Sequence, residues 1–324
     1  MKTLLKLLLV FILFTGCLGA AFFVYAKNKV TRIYDLPETK EVLVEKGFGL
    51  NRTAHLLEQN GVIDKAEWFI LYAWLSGFEN NLKAGEYAFK DNLSYQNILD
   101  MLSKGQVVLH ALTIPEGKVL YEIKQIVMNN PYLTGEITLD LKEGEILPET
   151  YHFTRGEQRD AILAKAREAM KKTLKNAFEG RDENLPVYSE QELLILASIV
   201  EKETGLKTER AQVASVFVNR LRLGMRLQTD PTVIYAVTDG KMNLGRPIYR
   251  KDLAYDSPYN TYVYAGLPPA PICSPGKEAI YATAHPDETP YLYFVADGET
   301  GGHRFGRSLD EHNANVAHYR AQGH

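Results

Sequence analysis

The sequence predicts an α+β protein with an N-terminal membrane-spanning helix ahead of two soluble domains. Three observations support this prediction. The run from Leu7 to Ala26 contains no charged residue, and short helical segments are interspersed with short strand-like segments in the rest of the chain. The length of 324 residues corresponds to about two domains at roughly 150 residues each.

The composition excludes several classes of protein. Hydrophobic residues make up 45% and charged residues 24%, which is typical of a globular chain and not of a disordered or fibrous one. Lys and Arg number 37 against 40 Asp and Glu, so there is no basic excess for a nucleic-acid backbone and we predict no such partner. Two cysteines exclude a disulfide-rich scaffold. No zinc-site spacing or dinucleotide fingerprint occurs, so we predict no metal and no cofactor.

The apolar N-terminus allows three interpretations. As a helix it would span about 30 Å, the thickness of the bilayer hydrocarbon. A signal peptide could end near Gly19–Ala21, but the apolar run continues beyond that point. A lipoprotein would be cleaved before Cys17, where the preceding residues match poorly. We therefore favour an uncleaved anchor over residues 1–26, with the remaining chain on the outer side of the membrane.

The next two predicted segments are a tether over residues 27–40 and a small α+β module over residues 41–110. Turn residues separate the elements of the module. The predicted helices and strands are Thr53–Gly61 (helix), Ala66–Ser76 (helix), Gly85–Phe89 (strand), Ser94–Lys104 (helix) and Val107–Ile114 (strand).

Residues 111–324 carry most of the Gly, Pro and Tyr and the candidate chemistry. Ser189 and Glu192 form a capping-box pattern, and the helix that follows is almost entirely apolar up to Val200. At 100° per residue, Glu203 lies toward the buried side of this helix, whereas Glu201 and Lys202 point away from it. The pattern therefore predicts an inward-facing carboxyl at Glu203.

Such a carboxyl has two possible roles. Desolvation raises its pKa, and a carboxylic acid that is still protonated near neutral pH can donate a proton to a leaving oxygen, as in glycoside cleavage. Alternatively, Glu203 pairs with Arg210 or Arg226 and only holds the fold together. Helix geometry alone leaves both roles open.

The segment after the next predicted helix, Thr208–Leu223, is polar and rich in turns. Asp230 precedes Pro231 and is predicted to cap a helix, or to line a polar cleft together with Gln228. Tyrosines crowd residues 235–264, where they could stack on sugar rings or fill a core. Tyr291–Val295 is predicted to be a strand, and the lone thiol of Cys273 is predicted to be structural.

Taken together, these residues resemble the endolytic murein transglycosylase (YceG-like) family over nearly the whole chain. The segments that carry the resemblance are Ala197–Thr204, Val213–Arg220, Gly224–Tyr235, Ser257–Tyr262, Gly266–Pro269, Ala284–Pro286, Tyr291–Val295 and Glu311–Asn313. The order of so many motifs makes the resemblance specific.

The resemblance implies an inner-membrane anchor, a LysM-like module at residues 41–110 and a catalytic domain at residues 111–324 in the periplasm. It implies a lyase that cuts the β-1,4 bond between N-acetylmuramic acid and N-acetylglucosamine within peptidoglycan strands and leaves 1,6-anhydro ends. Glu203 matches the family's catalytic Glu, which acts first as acid and then as base. Peptidoglycan synthases (penicillin-binding proteins) are the implied protein partners.

Candidates for holding the sugar, chosen by polarity and motif position, are Gln228, Asp230, Tyr259, Asn260 and Tyr262. One alternative function remains. The chain could be a membrane-anchored scaffold that binds glycan without cutting it.

Overall fold

The computed structural model describes residues 2–77, 82–90, 93–241 and 244–322. The helices are α1 (Lys2–Val30), α2 (Leu50–Gln59), α3 (Ala66–Leu75), α4 (Tyr95–Lys104), α5 (Leu120–Met128), α6 (Arg159–Glu179), α7 (Glu190–Glu203), α8 (Arg210–Arg222), α9 (Asp230–Thr238), α10 (Arg250–Leu253), α11 (Lys277–Ala284) and α12 (Leu309–Ala321). The strands are β1 (Lys40–Val44), β2 (Gly85–Phe89), β3 (His110–Thr113), β4 (Thr150–Phe153), β5 (Tyr293–Ala296) and β6 (His303–Gly306). The predicted α+β class is confirmed, and the chain divides into two compact units, Met1–His110 and Ala111–His324.

The N-terminal helix α1 is long and apolar. Its segment Phe11–Val30 is long and apolar enough to cross a membrane, and none of that segment is buried inside the protein. Aromatic and aliphatic side chains such as Phe14, Phe22 and Phe23 are instead exposed. A soluble helix normally hides its apolar stripe against a core, so α1 has an apolar surface that the described protein does not cover.

The first unit is built on an antiparallel pair of strands. In the register of β1 and β2, Val42 is opposite Tyr87, and the helices α2, α3 and α4 cover this pair with Leu57, Phe69 and Leu102. The predicted strand at Gly85–Phe89 is confirmed. Its partner β1 was not predicted, because two charged residues begin its five-residue sequence KEVLV and obscure the period-2 pattern.

The segment predicted as a tether contributes to this core. Tyr34 and Leu36 are both buried, and Tyr34 forms a backbone bridge to Leu93. The Tyr34 hydroxyl also donates a hydrogen bond of 2.7 Å to the hydroxyl of Tyr95. Residues 27–40 are therefore not a free linker, because two apolar side chains within a mostly polar stretch are enough to hold the backbone against the unit.

The second unit is organised around α7. The Ser189 side chain accepts a hydrogen bond from the backbone N–H of Glu192 and caps the helix, and every residue from Leu193 to Val200 is buried. Helices α6, α8, α9 and α11 pack against α7. The structural role predicted for Cys273 is confirmed, since its buried thiol donates to the carbonyl of Ser198 at 3.3 Å.

Two short strand pairs complete the second unit. β3 pairs with β4, and β5 pairs antiparallel with β6, with Phe294 opposite Phe305. The strand predicted at Tyr291–Val295 begins two residues later, at Tyr293. Phe294 packs edge-on against Phe217 of α8, so this hairpin lies against the helices that carry the candidate site.

Candidate active site

The carboxyl of Glu203 stands at the end of a buried helix. α7 ends at Glu203 because the next residue, Thr204, has an extended backbone. The apolar residues of α7 from Leu193 to Val200 lie in the core. Glu203, the last residue of the helix, lies at the edge of this core. Glu203 is consequently half-buried, and it lines an open cleft of about 380 Å³.

The predicted contrast between Glu203 and Glu201 is only partly correct. Glu203 does face inward, but the Glu201 side chain is also buried, with 6% of its surface exposed. Glu201 accepts hydrogen bonds from Arg210 at 3.1 Å and from the backbone N–H of Gly276 at 2.9 Å. The helical-face argument missed this burial because Arg210 and Gly276 lie outside α7, and the periodicity of one helix does not show which other segments pack against it.

Neither arginine proposed as a structural partner binds Glu203. Arg210 forms ion pairs with Glu116, Glu201 and Glu278, and Arg226 donates to the carbonyl of Tyr262 at 3.1 Å. Within the described part of the chain, no basic side chain lies within ion-pair distance of Glu203. The carboxyl is therefore free to take part in proton transfer.

The polar contact of Glu203 is with Thr229. The Thr229 hydroxyl donates to Oε1 of Glu203, and the Thr229 backbone N–H donates to the hydroxyl of Thr261 at 3.1 Å. The hydroxyls of Thr261 and Thr232 are 2.8 Å apart, and all three threonines are buried. A threonine cluster thus fixes the position of the hydroxyl that orients Glu203.

The start of α9 brings the predicted Gln228 and Asp230 to the cleft. Thr229, one residue earlier than predicted, occupies the N-cap position, and Asp230 is the first helical residue, with Pro231 following it. The Asp230 carboxylate accepts a 2.7 Å hydrogen bond from the hydroxyl of Tyr262. Gln228 has a left-handed backbone with φ of 50°, a conformation that costs a non-glycine residue about 1 kcal/mol or more and is often found at functional sites.

Two of the predicted sugar-binding residues lie elsewhere. Asn260 is fully buried, and its side-chain amide donates to the carbonyls of Leu253 and Tyr255 at 3.1 and 2.8 Å. Tyr259 packs its ring on that of Tyr235, with centroids 4.8 Å apart. Both residues hold the loop that carries Tyr262 and do not line the cleft of Glu203.

Part of the lining of the cleft was not predicted from composition or spacing. This part includes Arg220 on α8, Tyr293 on β5 and His312 on α12. The Tyr293 ring stacks on His312 at 5.2 Å, and the Arg220 guanidinium lies 5.1 Å from the same ring. These three residues belong to motifs that carried the family resemblance. The motifs did not indicate that the residues line a cleft.

Arg220 also organises the backbone around the cleft. It is buried, and it donates to the carbonyls of Leu292 and Leu227 at 2.6 and 2.7 Å. These two bonds join the segment before α9 to the segment before β5. Leu227 and Tyr293, the neighbour of Leu292, both line the cleft, so Arg220 links two parts of the lining and places a positive charge beside it.

Burial raises the pKa of Glu203 from its ordinary value of 4.5 to about 7. The hydrogen bond from Thr229 opposes this shift, the nearby charge of Asp230 adds to it, and the charges of His303 and Arg220 oppose it. Desolvation is the largest contribution, and it favours the protonated acid near neutral pH. An ordinary Glu would be protonated in only about 0.3% of molecules at pH 7.

This chain is similar to known proteins over most of its length. Residues 42–318 match the YceG-like family. The endolytic murein transglycosylase of Bacillus subtilis is 32% identical over 332 residues, covering 91% of this chain and 89% of that protein. The protein of the same name from Streptococcus pneumoniae is 31% identical over 85% of this chain, and the match spans 57% of its length.

A solved structure gives a further comparison. The crystal structure of a YceG-like protein from Listeria monocytogenes has 31% sequence identity to this chain and a TM-score of 0.52. The match covers 86% of this chain and 99% of the Listeria protein. The family match and the relatives together show that this chain is a member of the YceG-like family.

Proposed function

We propose that this protein is a murein transglycosylase, a lyase that cuts peptidoglycan strands without using water. The observation that carries the proposal is the Glu203 carboxyl. It lines a cleft, has no basic partner in the described structure, and is oriented by the Thr229 hydroxyl. The relatives named endolytic murein transglycosylase support peptidoglycan as the substrate and cleavage within the strand.

A single carboxyl suffices for this reaction. Protonated Glu203 gives its proton to the glycosidic oxygen between N-acetylmuramic acid and N-acetylglucosamine, and the bond from that oxygen to C1 breaks. The C6 hydroxyl of the muramic residue then attacks C1, and the Glu203 carboxylate accepts the hydroxyl proton. The products are a free sugar hydroxyl and a 1,6-anhydro end, and Glu203 is protonated again for the next cycle.

The cleft offers groups besides Glu203 that could hold the sugar. They are Gln228, Asp230, Tyr262, Tyr293 and His312, which all line it. Hydroxyl, amide and carboxylate groups can bind sugar hydroxyls, while an aromatic ring can cover the apolar face of the sugar. We assign Tyr259 and Asn260 an indirect role, since they hold the loop that carries Tyr262.

We further propose that α1 anchors the protein in the cytoplasmic membrane, with the catalytic unit on the outer, periplasmic side where peptidoglycan is assembled. The uncovered apolar surface of Phe11–Val30 supports the anchor. The strand–helix–helix–strand order of β1, α2, α3 and β2 supports a separate LysM-like module over residues 41–110, with catalysis in residues 111–324. Peptidoglycan synthases remain the proposed protein partners.

The test is product analysis by mass spectrometry after incubation of the full-length protein with purified peptidoglycan strands. We expect new 1,6-anhydro ends from the natural protein and at least about a hundredfold fewer from Glu203→Gln. Glu201→Gln is the matched control, because it removes a carboxylate two residues away that does not line the cleft. New reducing ends in place of anhydro ends would show hydrolysis. Binding without cleavage by either form would favour the scaffold alternative.

A further inference from the structure

The outer face of α3 is apolar and exposed although α3 belongs to a soluble module. Glu67 is the one charged residue in its sequence, AEWFILYAWL. Ala66, Phe69 and Ala73 face the core of the first unit and are buried. On the outer face, Trp74 and Leu75 keep 61% and 65% of their surface exposed. A surface helix normally has polar residues on its outer face, whereas α3 has a single charged residue, Glu67. We therefore expect an apolar partner to cover this face.

The exposed face adjoins an apolar groove. A groove of about 460 Å³ is lined by Leu50, Ile70, Leu71 and Trp74, with the polar Asn51 and Glu67 completing its lining. Contiguous apolar surface of this kind marks an interaction site more often than isolated exposed residues do. The groove extends the apolar surface of α3 toward the start of α2, which makes it broader than a single helix stripe.

The position of α3 relative to α1 identifies the partner. Tyr25 of α1 and Trp68 of α3 pack edge to face, with ring centroids 5.7 Å apart. Lys27 is the first charged residue after the apolar run. Tyr25 lies two residues before it, which is about 3 Å along a helix. If α1 spans the membrane, this contact places Trp68 at the boundary between hydrocarbon and headgroups.

The rest of the outer face follows from helix geometry. At 100° per residue, the order around one side of α3 is Trp68, Leu75, Leu71, Glu67 and Trp74. Trp68 is partly buried and also packs against the core, and the exposed Glu67 stands between Leu71 and Trp74. Trp74 is six residues beyond Trp68, so it lies at most about 9 Å farther along the axis of α3. Interfacial helices bury their apolar face about 5–10 Å into the same boundary, so Trp74 and Leu75 stay within reach of it.

The residue types fit this location. Trp and Tyr are enriched where membrane meets water, because their rings are apolar and their N–H or O–H groups remain hydrated. Lys27 and Lys29 stand in the last turn of α1, where they can reach lipid phosphates. We propose that α3 lies in the lipid headgroup region of the membrane and, with α1, forms a two-helix attachment for the first unit.

This inference rests on the proposed membrane anchoring by α1 and is independent of the proposed catalysis. The attachment would fix the orientation of the first unit relative to the membrane. A single anchor helix followed by a loose segment would let the first unit rotate freely, whereas a second contact through Trp74 and Leu75 fixes which face of that unit points away from the bilayer.

The two tryptophans of the chain allow a direct test, because both are in α3. The full-length protein is reconstituted into vesicles of phosphatidylethanolamine and phosphatidylglycerol, some of which carry bromine on the acyl chains. Trp68→Phe leaves Trp74 as the fluorescent reporter, and Trp74→Phe leaves Trp68. We expect brominated lipid to quench the Trp74 emission by about half, and aqueous iodide to quench it weakly.

A second variant tests whether the outer face of α3 contacts lipid. Leu75→Lys in the Trp68→Phe background introduces a charge on the outer face without touching the core, and should shift Trp74 from lipid quenching toward iodide quenching. A Tyr188→Trp reporter in a chain lacking both native tryptophans serves as the solvent reference for iodide, because Tyr188 is 80% exposed.

The outcomes separate the two proposals. If Trp68 is quenched by brominated lipid and Trp74 behaves like the solvent reference, the anchor holds but the attachment through α3 is wrong, and another protein is the better candidate to cover that face. If neither is quenched and the protein fails to float with vesicles, the anchor and this inference both fail. Cleavage of soluble strands by Trp68→Phe should equal that of the natural protein in either case.

Discussion

The hydroxyl of Thr229 donates a hydrogen bond to Oε1 of Glu203. The two residues stand at the start of α9 and the end of α7, so this bond joins the ends of two helices at the cleft. It favours the ionised carboxylate, whereas burial favours the protonated acid, and burial has the larger effect. Glu203 is thus held in one orientation while its pKa remains near 7.

We expect Thr229→Val to lower the rate of strand cleavage about tenfold, because Glu203 loses the group that orients it. Loss of the hydrogen bond should also raise the Glu203 pKa further, so the high-pH decline in activity moves to higher pH. Thr229→Ser keeps the hydroxyl and should restore both the rate and the pH profile. A rate loss in Thr229→Val without a change in pH profile would contradict the positioning role.

Glu203→Gln should lower cleavage by about a hundredfold to ten-thousandfold, the usual contribution of a general acid or base. The fold should not suffer, because Gln has nearly the same shape and carries no charge that must be desolvated. Counting anhydro ends by mass spectrometry and recording thermal unfolding of the same samples checks both expectations. Activity equal to that of the natural protein would exclude Glu203 as the catalytic acid.

The pH dependence follows from the pKa of about 7 for Glu203. The first step needs the protonated acid, so cleavage should decline as the pH rises through about 7. For stability, the folded-state pKa lies above the unfolded value of 4.5. Its stabilising contribution is therefore complete below pH 4.5 and is lost as the pH rises through about 7.

Urea titrations across this pH window measure that contribution. Glu203→Gln should reduce the loss of stability between pH 4.5 and about 7 without abolishing it. Part of the loss should remain because burial also raises the pKa of Glu143 to about 7. A variant with the same pH dependence of stability as the natural protein would contradict the shifted pKa.

Tyr262→Phe removes the hydroxyl that donates to Asp230. The ring stays, so the cleft keeps its shape, while Asp230 loses a partner and the sugar loses a possible hydrogen bond. We expect KM for glycan strands to rise a few-fold with little change in kcat, since a neutral hydrogen bond contributes about 1 kcal/mol. Steady-state kinetics on strands of uniform length distinguish this result from a purely catalytic defect.

The buried pair of Glu201 and Arg210 should matter for stability and not for chemistry. Their side chains keep 6% and 4% of their surface exposed. Arg210 also pairs with Glu116 and Glu278, so losing Glu201 should cost less than the roughly 3–5 kcal/mol typical of breaking an isolated buried pair. Glu201→Gln should therefore lower the thermal unfolding temperature while the folded fraction still produces anhydro ends. A loss of activity with an unchanged unfolding temperature would instead assign Glu201 to the reaction.

Local patterns in the sequence were sufficient to predict much of the molecule. The uncharged run before Lys27, the cap at Ser189 and the apolar length of α7 follow from the spacing of residues along one helix. For the same reason, the inward direction of Glu203 could be predicted, because it depends on the periodicity of α7 alone. The motifs around Gln228 and Asp230 located one wall of the cleft.

The tertiary structure decided what depends on contacts between distant segments. Glu201 is buried because Arg210 and Gly276 reach it, Asn260 is removed from the cleft by its bonds to Leu253 and Tyr255, and Thr229 meets Glu203 across 26 positions of sequence. A helical or strand period describes one element at a time, so it cannot show which elements meet. The sequence by itself predicted the inward direction of the Glu203 carboxyl, and only the packing of α7, α8, α9 and β5 determined its surroundings.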